Sequence, residues 1–142
     1  MQRGRARDLL QAHIRTVMND QLITTGPDDP LLDVAREIAA HRIGAVPVVD
    51  EKQRLVGIIS TADLVNLLHD GTRIDGKSAR DVMSADPISI DEFATVAEAI
   101  GVMQNAQIGH LPVTRDKKLV GLVTSSDLIC HLLKRHLAPD VA

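Results

Sequence analysis

The chain has 142 residues, 44% apolar and 25% charged, with a net charge of -3; that suits one compact domain or two small units sharing a core. Phe93 is the only aromatic residue, so the core must be aliphatic, and base stacking on aromatic platforms is excluded as a way to hold single-stranded nucleic acid. Lys and Arg are scattered apart from Arg3, Arg5 and Arg7, the single Cys130 excludes an internal disulfide, and no apolar run approaches the ~20 residues of a membrane span.

Residues 1–13 read as an N-terminal helical extension, and "MQRGRARDLLQAH" lacks the apolar centre of a signal peptide, so a cytoplasmic protein is expected. A short extended stretch, Leu22–Thr25, comes next. Asp29 is placed to cap a helix with Pro30 at its first position, and Leu31, Val34, Ala35 and Ile38 give that helix one apolar face. The helix is expected to stop before Gly44. Two dense apolar strands, "AVPVV" and "LVGIIS", follow around the polar turn "DEKQR", and a second helix covers Thr61–Leu68. The polar, glycine-containing stretch of residues 70–78 reads as a linker. Beyond it the order returns: an extended Ile88–Ile90, then Thr95 and Glu98 at the spacing of a capping box. Val96, Ala99, Ile100 and Met103 give the next helix its apolar face, with a stop before Gly109. Strands "HLPVT" and "LVGLVT" join through "RDKK", a helix runs over Ser125–His136, and residues 137–142 form a tail.

The chain is therefore a tandem repeat. At an offset of 65 residues Val17-Met18 meets Val82-Met83, Ile43-Gly44 meets Ile108-Gly109, and Pro47-Val48 meets Pro112-Val113. After the strand-joining turn the offset becomes 64, and Val56-Gly57 meets Val120-Gly121. The repeats occupy residues 14–69 and 79–136, each strand–helix–strand–strand–helix. That is an α+β or α/β layout with too few strands to close a barrel. Units this small are marginal alone and are expected to bury apolar faces against each other.

Both repeats carry the same phrase, "GIISTADL" and "GLVTSSDL", where a strand ends and a helix begins. Ser60 with Asp63, and Thr124 with Asp127, have the spacing of reciprocal caps. The same atoms suit a ligand. Helix-start amides and the hydroxyls of Thr61, Ser125 and Ser126 attract phosphate, while an aspartate accepts hydrogen bonds from sugar hydroxyls. Gly57 and Gly121 on the strands leading in allow a close backbone approach.

These phrases, with "VM" and "DVM" ahead of "LITTGPDDPLLDVAREIAAHRIGAVPVVDEKQRLVGIISTADLV" and "PISIDEFATVAEAIGVMQNAQIGHLPVTRDKKLVGLVTSSDLI", resemble a pair of cystathionine-beta-synthase (CBS) domains, the Bateman module. The resemblance implies two units packed with pseudo-twofold symmetry, dimer formation, and clefts for adenosine-containing ligands: AMP, ADP, ATP or S-adenosylmethionine. It also implies roles for particular residues. Asp63 and Asp127 match the family's ribose aspartate, and Ser60, Thr61, Thr124, Ser125 and Ser126 its phosphate side. Thr24, Thr25, Ser89 and Ile90 match the adenine side. Ala45, Val46, Pro47, His110, Leu111 and Pro112 match the strand over the base, with His110 at a position sometimes basic. Ala45 and the ending Thr114-Arg115 depart from the family pattern.

Other chemistries lack support in the residues. The histidines His13, His41, His69, His110, His131 and His136 fall in no zinc-binding spacing, so no metal is expected. Cys130 reads as a semi-buried packing residue, and Asp28, Asp29 and Asp33 as cap and helix surface. No nucleophile elbow or phosphate loop is present, so no catalysis is expected. The reading is a ligand-sensing regulatory module acting on a separate protein; the alternative is a ligand-independent interaction scaffold. Leu64–Leu68, Leu128–Leu133, Leu9 and Leu10 are the expected faces of a homodimer.

Overall fold

The structure, a computed structural model, describes residues 8–137. Its elements are α1 (Leu31–His41), β1 (Ala45–Val49), β2 (Leu55–Ser60), α2 (Thr61–His69), β3 (Ser84–Ala85), β4 (Ile90–Asp91), α3 (Val96–Ala106), β5 (His110–Arg115), β6 (Lys118–Thr124) and α4 (Ser125–Leu137). They form two sheets, in the orders β1-β2-β3 and β4-β5-β6. This is the mixed α/β layout expected from the repeat.

Helix α1 buries Leu31 and Val34 on the face that the apolar spacing marks. Its start differs from expectation. Pro30 is the N-cap and makes no side-chain cap, while the Asp29 carboxylate turns back to accept from Gly26 N at 2.8 Å and Thr25 Oγ at 3.1 Å. The first helical amide, Leu31 N, is satisfied by Lys77 O at 2.8 Å, so it needs no aspartate. The ends fall where expected, α1 at His41 before Gly44 and α3 at Ala106 before Gly109. Arg42 (φ 52°) and Gln107 (φ 55°) take the left-handed position after α1 and α3. Gly44 and Gly109 offer their carbonyls to Thr61 N and Ser125 N.

Strand β1 pairs antiparallel with β2, Ala45 opposite Ser60 and Val46 opposite Ile59. All five β1 residues are buried, as its continuous apolar run requires. Thr25, from the first extended stretch, makes a single parallel bridge to Val48. In the second sheet β4 pairs parallel with β5, Ile90 opposite Val113, two residues later than the sequence places its first strand. Asp116 and Lys117, both at positive φ (50° and 69°), make the two-residue turn into β6. That geometry matches the twist of the strands it joins. Thr95 caps α3 by accepting from Glu98 N at 3.1 Å; the reciprocal carboxylate bond is not made.

The compact units cut across the repeats. One comprises Leu22–Ile88 with residues 116–119; the other comprises residues 8–21, Ser89–Arg115 and residues 120–137. Each repeat's first segment completes the other repeat's core. Ile14 is fully buried and donates to Ala94 O at 2.7 Å, and Asn19 exchanges two bonds with Leu122. In the first-repeat unit Ala79 is equally buried, its amide on Asp29 O at 2.9 Å, and β3 extends the sheet beside β2. The linker is thus partly structural: Ile74 packs on that core, and Ser78 bridges Pro30. Leu10, expected on an open face, packs against the core of the second-repeat unit.

The paired glycines serve this exchange. A Cβ on Gly57 would lie 2.4 Å from Met83 Sδ, and one on Gly121 would lie 2.2 Å from Met18 Sδ. The approach that the missing side chain permits is made by a methionine.

One buried charge was invisible in the sequence. Glu92 is 1% exposed, and its carboxylate pairs with both the Nε and the Nη2 of Arg115. At the matching position of the first repeat stands Pro27. Hydrogen bonds from Arg115 hold the Glu92 carboxyl below its ordinary range, against the opposing effect of burial. A folded-state pKa below the unfolded one stabilises the fold above the unfolded value, and this stability is lost as pH falls through the folded one. Glu92→Gln is therefore expected to melt lower than wild type at pH 7 and to show a shallower loss of melting temperature between pH 6 and pH 3. Parallel melting curves across that range would remove the pair from the acid response.

Candidate functional site

Each repeated phrase places a strand end directly onto a helix start. Ser60, the last residue of β2, is extended (φ -101°, ψ 162°) and caps α2. Its Oγ accepts from Asp63 N at 3.2 Å, and Asp63 Oδ2 accepts from Ser60 N at 2.8 Å. The second repeat has the same box: Asp127 N on Thr124 Oγ at 3.1 Å, and Thr124 N on Asp127 Oδ2 at 2.9 Å. In both, the capping bonds use one carboxylate oxygen. Oδ1 takes no hydrogen bond from a described residue, and both aspartates are half-buried. The capping hydroxyls act as acceptors, so each keeps its own hydrogen to donate.

The helix starts are less open than the motif implies. Thr61 N is held by Gly44 O at 2.8 Å and Ser125 N by Gly109 O at 3.1 Å. With the amides of Asp63 and Asp127 spent on the caps, the first turns keep the amides of Ala62 and Ser126 outside these bonds. The Thr61 hydroxyl donates to Gly44 O at 3.0 Å. Among the described residues, Ser125 Oγ finds the thioether of Met103, at 3.9 Å, a weak acceptor. Ser126 is exposed.

The strand-side residues divide by burial. Val46, Pro47, Leu111 and Pro112 are buried, as are Ala45 and Ile90, while Thr24 and Ser89 are exposed. Thr25 is buried with its hydroxyl on Asp29. His110 is half-buried, and that burial pulls its imidazole below the usual range. Thr24, Thr25 and Val46 line a cavity of about 410 Å³ whose wall also carries Asp29, Asp33 and Glu37; Ser60, Thr61 and Asp63 lie outside that lining. Sequence reading missed this acidic wall. The signal was present, since Asp33 and Glu37 stand four apart on α1 and so share a face.

Cys130, expected to be semi-buried, is exposed. Among the described residues no cluster of His, Cys, Asp or Glu has the arrangement of a metal site, and no helix is long and apolar enough to cross a membrane.

The CBS domain model matches residues 14–70 and 79–134. Among curated proteins the chain is 36% identical over 115 residues to the uncharacterized protein MK0525 of Methanopyrus kandleri, a match covering 80% of this chain and 59% of that relative's length. It is 31% identical over 123 residues to hypoxic response protein 1 of Mycobacterium tuberculosis, covering 83% of each. Among solved structures it resembles the CBS domain pair of protein MJ0100 in complex with 5′-methylthioadenosine and S-adenosyl-L-methionine. That likeness has a TM-score of 0.75 and 27% identity, and covers 83% of this chain and 93% of that one.

Proposed function

The chain belongs to the CBS-domain family, and from that premise we propose that it is an adenosyl-nucleotide-binding regulatory module, not a catalyst, which passes ligand occupancy to a separate partner protein. The observation that carries this reading is the spare acceptor on each capping aspartate. A cap needs one carboxylate oxygen. Here the cap leaves the second unused and the capping hydroxyl keeps its hydrogen, so one helical turn offers an acceptor for a ribose diol and donors for a phosphate. The ligands of the MJ0100 pair, both adenosine derivatives, support the ligand class. AMP, ADP or ATP is the favoured ligand, because hydroxyls at helix starts suit phosphate; S-adenosylmethionine is the next choice.

Titration calorimetry with AMP, ATP, 2′-deoxy-AMP and S-adenosylmethionine tests the reading. The ribonucleotides should bind at least ~10-fold more tightly than the deoxy compound, which lacks one donor to a charged acceptor. Equal affinity for ribo and deoxy forms would leave the aspartates as caps, and no binding of any adenosyl compound would favour the scaffold reading.

Exposed apolar residues favour an assembly role alongside ligand binding. Val65 and Leu68 on α2 are 56% and 62% exposed, and Ile129 and Leu133 on α4 are 56% and 40% exposed. We assign these faces to a homodimer. Light scattering at micromolar concentration should give twice the 15.4 kDa chain mass, and Leu68→Glu combined with Ile129→Glu should return it to one. A wild-type mass of one chain would dismiss the dimer.

A further inference from the structure

We propose that the two repeats discriminate ligands by charge: the second-repeat cap takes a phosphate-bearing adenosine compound, and the first-repeat site takes one without phosphate. The inference deepens the adenosyl-binding reading and rests on it.

The donors differ at three matched positions. In the second repeat Ser126 presents an exposed hydroxyl inside the first turn of α4; the matching residue of α2 is Ala62. Ser125 keeps its hydroxyl against a thioether, which exchanges easily for a phosphate oxygen, whereas the Thr61 hydroxyl is held by the carbonyl of Gly44. The third difference lies on the strand. Ala45 is the cross-strand partner of Ser60, and such partners point to the same face of a sheet. A side chain at this position therefore faces the same way as the capping hydroxyl. The repeat puts His110 there in the second copy, next to Gly109, whose carbonyl holds Ser125 N. Imidazole brings a ring N–H donor in either protonation state; the Ala45 methyl brings none.

The carboxylates differ in the opposite sense. The first-repeat cavity beside Thr24 and Thr25 is walled by Asp29, Asp33 and Glu37. Arg36 and His41 reach Asp33 and Glu37 at 3.6 and 3.3 Å, but in exposed pairs that screening weakens. Among the described residues, the donors to Asp29 are the neutral Thr25 hydroxyl and Gly26 amide. Their counterparts in the second repeat are Ala94, Glu98 and Val102, a single carboxylate. Ser60, Thr61 and Asp63 lie outside that lining, so the wall bears on a ligand that also fills the Thr24–Thr25 cavity, where its negative charge, partly screened by solvent, disfavours a phosphate.

Calorimetry on the full chain with AMP and with 5′-methylthioadenosine, which has the same base and ribose diol but an uncharged methylthio group at the 5′ position, decides the matter. Wild type should bind one AMP per chain, and 5′-methylthioadenosine should still bind when AMP is saturating. His110→Ala and, separately, the exposed Ser126→Ala should each weaken AMP about 5- to 10-fold and leave 5′-methylthioadenosine unchanged. The Ser126 variant keeps the test valid if loss of the half-buried imidazole unfolds the chain. Two equivalent AMP sites, mutual exclusion of the two ligands, or equal weakening of both in either variant would overturn the assignment while leaving adenosyl binding intact. Binding of neither compound by folded wild type would overturn the underlying function and the assignment with it.

Discussion

A single added methyl at Gly57 or Gly121 is expected to destabilise the protein by about 2–3 kcal/mol, the upper range for overpacking a filled core. The new Cβ would stand 2.4 Å from Met83 Sδ in one case and 2.2 Å from Met18 Sδ in the other, with Cγ and Cβ of the same methionines within 3.1 Å. The clash therefore involves most of the side chain, and a rotation of the terminal methyl does not relieve it. The pairing predicts a specific pattern of rescue. In a Met83→Ala background Gly57→Ala should cost less than ~1 kcal/mol, while Gly121→Ala should keep its full cost; Met18→Ala should rescue Gly121→Ala alone. Chemical denaturation of wild type, the four single variants and the four glycine–methionine double variants measures it. Rescue within repeats, of Gly57→Ala by Met18→Ala, would contradict the exchanged segments.

Replacing Asp63 or Asp127 by asparagine is expected to separate capping from ligand binding. The asparagine carbonyl can accept the bond from Ser60 N or Thr124 N, the bond that Oδ2 now accepts at 2.8 and 2.9 Å. The cap survives, and the loss of a negative charge near a helix start costs only a few tenths to about 1 kcal/mol. The outward oxygen, however, becomes an NH₂ donor. It can no longer accept from the ribose hydroxyls, and the charge assistance is gone, so adenosyl affinity at that repeat should fall at least ~10-fold. Calorimetry and thermal melts on the same samples provide both readouts. Unchanged affinity with a slightly lower melting temperature would assign both aspartates to the helix caps alone.

The acid response expected for Glu92 and the assembly expected from α2 and α4 are independent of these two results. Glu92 and Arg115 lie on the turn before α3 and at the end of β5, away from both caps in the sequence. Val65, Leu68, Ile129 and Leu133 point away from the cores that Leu64 and Leu128 enter.

What could be read from the residue order was local. The apolar runs of β1, β2, β5 and β6, the helical spacing of α1 and α3, and the two caps all depend on neighbours within four positions, and each appears close to where it was placed. The repeat itself needed only self-comparison. The candidate site was legible for the same reason, since Ser60 and Asp63, like Thr124 and Asp127, are three residues apart.

The rest depended on partners distant in the chain. Nothing in the spacing of Met18 shows that it fills the space over Gly121 rather than over Gly57, because both glycines sit at the same place in matching phrases. The choice is made by which sheet the preceding segment joins, and Asn19 joins β6. Asp29 had the right type and place for a cap; Lys77 O occupied the amide first and left the carboxylate to close the Thr25 turn. The Thr61 hydroxyl looked free for phosphate until the carbonyl of Gly44 was brought beside it by the pairing of β1 with β2. Hydrogen-bonding groups that are equivalent in sequence become unequal once tertiary structure brings some of them a partner, and a donor already satisfied has little left to offer a ligand.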